Sequence, residues 1–156
     1  MVVITATTVT TPTAMRDSRR RCLVSFRSER QWTVDNGQEL FGNFTPQTPS
    51  TQPNGFAALA EYDKTAKVAI VMGMITSADS AFSSLRLGKD TNHNGISETS
   101  ELKTLTALGV KRIELDYKLS KKRDEHGNQF RYRAKVADGN GAQLGRWAWD
   151  VFLVSQ

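Results

Sequence analysis

Residues Asp90 to Glu101, DTNHNGISETSE, constrain this chain more than any other stretch. They satisfy the helix-loop-helix calcium pattern D-x-[DN]-x-[DN]-G-x5-E with no mismatch. Ca2+ is a hard ion that takes about six to eight oxygens at about 2.3–2.6 Å, so one short loop must curl around it. Asp90, Asn92 and Asn94 supply side-chain oxygens in this reading, Ile96 its backbone carbonyl, Glu98 a contact through water, and Glu101 both carboxylate oxygens. Gly95 takes the sharp turn, where a positive φ is cheap only without a Cβ. His93 points outward and is not counted as a ligand. The competing reading is a plain Asn-Gly turn, since these residues dominate turns for reasons unrelated to metal. The fixed offsets of the oxygen donors favour calcium.

The 156 residues suit one domain with a modest core. At 38% hydrophobic and 24% charged the composition is globular. No apolar run approaches the roughly 18 residues of a membrane span. The Thr-rich start, MVVITATTVTTPTAM, has neither a basic leader nor a long apolar stretch, so no signal peptide is expected from it. Cys22 is single, which excludes an intrachain disulfide. The net charge of +5 concentrates in Arg16, Arg19, Arg20 and Arg21 and in Lys118, Lys121, Lys122 and Arg123. Such runs are more often solvated turns than binding faces, so nucleic acid is not expected as a partner.

Residues 1–32 show no usable period and are expected to be poorly ordered. In 33–110, Phe56, Leu59 and Ala60 predict a short helix after Pro53, and KVAIVMGMI reads as a buried strand. Ala78, Ala81, Phe82 and Leu85 predict a second helix ending by Gly88; Leu102, Leu105 and Leu108 predict a third, from about Ser97 to Gly109. In 111–156 the period becomes two. RIELDYKLS, the Phe130–Val136 run and the segment with Trp147, Trp149, Val151 and Leu153 form a three-stranded antiparallel meander, with DGNG at 138–141 as one turn. The expected class is α+β: short helices forming an EF-hand-like calcium loop pair, followed by that meander.

The run from Asp35 to the C-terminus resembles a calcium-binding helix-loop-helix (EF-hand-like) repeat domain of large secreted or surface bacterial proteins. The stretches that carry the resemblance are DNGQELFGNFTP (35–46), NGFAALAEYD (54–63), ITSADSAFSSLRL (75–87), DTNHNGISETSELKTLTALGVKRIELDY (90–117), DEHGNQFRYRAKV (124–136) and GRWAWDVFLV (145–154). The resemblance implies non-catalytic calcium binding that stabilises the fold outside the cell or at its surface, with other domains of a larger parent protein as neighbours. Two further loops expected from it are absent: FRSERQW (26–32) and KVAIVMG (67–73) stand there, and only Asp35, Glu39 and Asp79 remain of their acidic residues. Both segments admit codons that, read one base along, spell calcium loops, Gly-Gly-Asn-Arg-Asp-Gly for the second. They are therefore read as out of frame, which the gene's codons test. The loop at 90–101 is left as the one complete site.

Two other classes stand beside this reading. A partner-binding module, meeting a carbohydrate, a protein or nucleic acid, would use Trp147, Trp149, Arg131 and Arg133, although alternation with polar residues makes core packing the more ordinary role for the tryptophans. An enzyme is not expected. His93 and His126 lack a partnered nucleophile or metal-helix motif, and nothing marks Cys22 as reactive.

Overall fold

The computed structural model describes residues 2–6, 22–26, 39–63, 73–88, 91, 92, 94, 96, 98–138 and 143–152. Among the described residues nine strands make one mixed sheet: β1 (Val2–Ala6), β2 (Cys22–Phe26), β3 (Met74–Thr76), β4 (Leu85–Gly88), β5 (Leu102–Thr104), β6 (Arg112–Glu114), β7 (Lys118–Arg123), β8 (Gln129–Ala137) and β9 (Gln143–Phe152). Their order is β3-β6-β8-β9-β1-β2-β4-β5, with β7 beside β8. β1 is parallel to both β9 and β2, and the remaining pairings are antiparallel.

One α-helix occurs among the described residues, α1 (Gly55–Asp63). Asn54 starts it: its Oδ1 accepts from the amides of Phe56 at 3.1 Å and Ala57 at 2.9 Å, two donors that have no partner inside the first turn. Phe56, Ala58 and Leu59 then bury against Ile75, Leu85, Leu87, Ile113, Tyr132, Ala134, Val136 and Ala148. Helix and sheet thus share one core, from which each fully buried aliphatic or aromatic side chain gains about 1.5–3 kcal/mol. Phe56 stacks on Tyr117 with centroids 5.4 Å apart, tying the helix to the β6–β7 connection.

This architecture corrects the expected class, since among the described residues no pair of helices flanks the 90–101 loop. The segment predicted as the incoming helix is a series of turns followed by β4. Its cause is local: Asp79 is buried, and its Oδ2 accepts from the amide and hydroxyl of Thr76 at 2.7 and 3.1 Å. The serines around it compete for backbone bonds in the same way, Ser83 Oγ donating to the Ser80 carbonyl. Ala81, Phe82 and Leu85 still face the core, but Ala78 of the predicted stripe is exposed and Asp79 is inside.

The outgoing helix is likewise replaced by a 3-10 turn (Thr99–Glu101), β5 and a second 3-10 turn (Thr106–Leu108). Thr104 and Thr106 are β-branched and stiff in a helix, whereas Leu102, Lys103 and Thr104 find partners in Gly88, Leu87 and Arg86. RIELDYKLS, expected as one strand, divides into β6 and β7 around Leu115–Tyr117; both pair with β8. Within 1–32, β1 and β2 are strands. The rest of that region, residues 64–72 of the KVAIVMG region, Asp35, and 139–142 of the DGNG turn lie outside the described residues.

Candidate metal centre

The loop from Lys89 to Glu101 is carried by the β4–β5 hairpin. Leu85, Leu87 and Leu105 are at most 2% exposed, so both sides of the loop are anchored in the core. The strands run close at its mouth: a Cβ on Gly88 would lie 3.2 Å from Leu102 Cδ2, a side-chain end that would have to give by a few tenths of an ångström.

At the far end stands Glu101, only 6% exposed. Its Oε1 accepts from the Thr91 amide at 2.6 Å and the Thr91 hydroxyl at 2.7 Å. These bonds, the amide first, hold its carboxyl below the ordinary carboxylate range, helped less strongly by the backbone amides of Asn92 and Glu98 and opposed by burial. Its Oε2 is buried and has no hydrogen-bond partner. A buried anionic oxygen without a donor is costly unless a proton or a cation meets it. The lowered pKa argues against the proton.

The remaining loop residues form a small network. Asn92 Nδ2 donates to Glu98 Oε2 at 2.9 Å and Asn94 Nδ2 to Glu98 Oε1 at 3.1 Å. The Asn92 and Asn94 side-chain oxygens accept from the amides of Asn94 and Ile96 at 3.0 and 2.7 Å. Asn92, Asn94 and Glu98 are therefore brought together, Glu98 bonding both asparagines, while the Glu101 carboxylate bonds Thr91. Ile96 turns its side chain out, 62% exposed, so its carbonyl is what it offers. Asp90 and His93 lie outside the described residues. Among the described residues no three acidic, histidine or cysteine side chains converge as a metal cluster. The loop's donors are of mixed type, two amides, two carboxylates and a carbonyl, all of them oxygen ligands that suit a hard divalent cation. On that chemistry, and on the orphaned Glu101 oxygen, the residues fit calcium.

Two further buried carboxylates escaped sequence reasoning. Asp63 closes α1, its Oδ2 accepting from the Gly73 amide at 3.0 Å while its Oδ1 has no partner. Asp150, on β9, accepts from the Gly55 amide at 3.2 Å at the start of α1. Burial raises its pKa to about 7, opposed by that amide and by the charge of Arg131. The signal for Asp150 was present, an acid in the alternating run WAWDVF, but period two alone does not say that a helix start will face it.

The SPM domain family matches residues 5–153. The iron-regulated protein FrpA of Neisseria meningitidis serogroup C is 38% identical over 115 residues, which are 72% of this chain and 10% of that protein. The chain therefore spans about a tenth of the length of this relative. The family match and the single helix among the described residues together overturn the resemblance to an EF-hand-like repeat domain.

Proposed function

The chain belongs to the SPM domain family, and from that premise we propose that it is a calcium-binding module in which the ion stabilises the fold, bound in the loop of the β4–β5 hairpin. One observation carries the reading: the buried, low-pKa Glu101 keeps one oxygen without a donor inside a loop otherwise lined by amide and carboxylate oxygens. Glu101, Asn92, Asn94 and the Ile96 carbonyl would hold the ion, with Asp90 as the remaining acid and Glu98 assisting. Binding would exchange the Asn92 and Asn94 contacts to Glu98 for contacts to the metal. Because the donors come together only in the folded hairpin, binding free energy adds to folding free energy.

Such a module would work within a longer polypeptide, outside the cell or at its surface, where calcium sites bind as weakly as about 10⁻⁴ to 10⁻³ M. Isothermal titration of the 156-residue chain at millimolar calcium tests the reading. One binding event per chain, lost in Asp90→Ala, is expected; no heat of binding in the unsubstituted chain would overturn it.

A further inference from the structure

The sheet has a second face that the calcium loop does not use. Tyr132, Ala134, Val136 and Ala148 point into the main core, so alternation puts Arg133, Lys135, Trp147 and Trp149 on the opposite side of β8 and β9. Strand register sets them out in rows: Lys118 opposite Arg133 opposite Trp149, and Lys135 opposite Trp147. Lys122 stands opposite Phe130 in the next row.

Two cations on this face, Arg133 and Lys122, lie against aromatic rings. The Arg133 guanidinium carbon lies 4.6 Å from the Trp147 ring centroid and 5.9 Å from that of Trp149. Lys122 Nζ lies 4.8 Å from the Phe130 centroid and 5.1 Å from that of Trp149. Lys118 is neutralised by Asp116 at 3.0 Å, but Arg133, Lys135 and Lys122 form no ion pair among the described residues. Arg133 Nε is buried and has no acceptor. A guanidinium fixed by indoles, partly stripped of water and short of acceptors is prepared for an anion.

We propose that this face binds a sulfated polysaccharide, whose anionic groups meet Arg133, Lys135 and Lys122 while Trp147 backs the guanidinium. The layout of charge selects this partner. Arg133 and Lys135 face the same way on β8, about 7 Å apart, and Lys122 lies on the neighbouring strand β7 opposite Phe130, so the three cations call for anions spread in two directions. An extended acidic peptide presents carboxylates on one face only along its length. Single-stranded nucleic acid needs open ring faces for stacking; Trp149 is 7% exposed and set edge-on to Phe130, and Arg133 lies over Trp147.

The proposal does not depend on the calcium reading and is tested with the full chain at low salt. A heparin oligosaccharide is titrated against tryptophan fluorescence, alongside polyglutamate and oligothymidylate of matched charge. Saturable, salt-sensitive heparin binding is expected, weakened about tenfold or more in Arg133→Gln/Lys135→Gln, as for the loss of charge-assisted bonds. Lys122→Gln/Lys135→Gln, both at exposed positions, repeats the test without touching the packed guanidinium. Lys103→Gln/Lys111→Gln removes the same charge elsewhere and should bind as the unsubstituted chain does. No binding, equal weakening in that control, or tighter binding of polyglutamate or oligothymidylate would overturn the proposal.

Discussion

Thr91 gives both of its donors to a single oxygen of Glu101, the amide at 2.6 Å and the hydroxyl at 2.7 Å, and leaves the other oxygen with none. The contact joins the second residue of the 90–101 motif to its last, so it closes the loop through protein atoms alone. It also keeps the carboxylate ionised in a buried place, which is the electrostatic condition for a cation site.

Thr91→Val retains the amide bond and removes the hydroxyl. A hydrogen bond to a charged group contributes about 1.5–3 kcal/mol, so the variant should lose about that much stability without calcium. It should also bind calcium more weakly, because Glu101 is less firmly placed. Urea unfolding with chelator present measures the first effect, and titration the second; an unchanged unfolding midpoint would show that the hydroxyl contact does not hold the loop.

Asp150 makes stability depend on pH in the direction opposite to most acids. Its folded pKa is raised to about 7 from 3.8, so between those values the native state keeps a proton that the unfolded chain has released. Its stabilising contribution is complete below the unfolded pKa, falls as pH rises toward 7, and is level above that. Asp150→Asn keeps an oxygen for the Gly55 amide and removes the slope, with a gain on the order of 2–4 kcal/mol at pH 8 and little change near pH 4. Thermal melts of both proteins across this range check it; parallel curves would contradict the assignment.

Leu87→Ala should cost about 2–5 kcal/mol, because the side chain is 2% exposed and its loss leaves a cavity under β4. If the β4–β5 hairpin positions the loop, calcium affinity should fall in the same variant while it remains folded. Affinity equal to that of the unsubstituted chain would mean that the loop organises itself without its strands.

The oxygen-bearing residues of the loop stand out in the sequence because their offsets match those an ion's coordination would need, a pattern confined to a few residues. What carries the loop was not legible in the same way. Ala81, Phe82, Leu85, Leu102, Leu105 and Leu108 have helical spacing, yet Asp79 bonding to Thr76 and the pairing of Leu102 with Gly88 favour turns and strands. A local side-chain bond in the first segment and strand pairing in the second overrode the helical period. Strand pairing also decides β1, whose partners β9 and β2 are distant in sequence or parallel to it, so nothing near Val2–Ala6 announces its place in the sheet. Asp150 needed the fold as well, because only docking of α1 buries it.

The central claim is that calcium and the fold stabilise each other through the hairpin loop, and scanning calorimetry of the full chain tests it most directly. With calcium at about a hundredfold excess over its dissociation constant, linkage gives about 2.7 kcal/mol, a rise in melting temperature of about 5–10 °C over the chelated protein. Asp90→Ala and Glu101→Gln should each remove that rise. A melting temperature that is the same in calcium and in chelator, for the unsubstituted chain, would contradict the account.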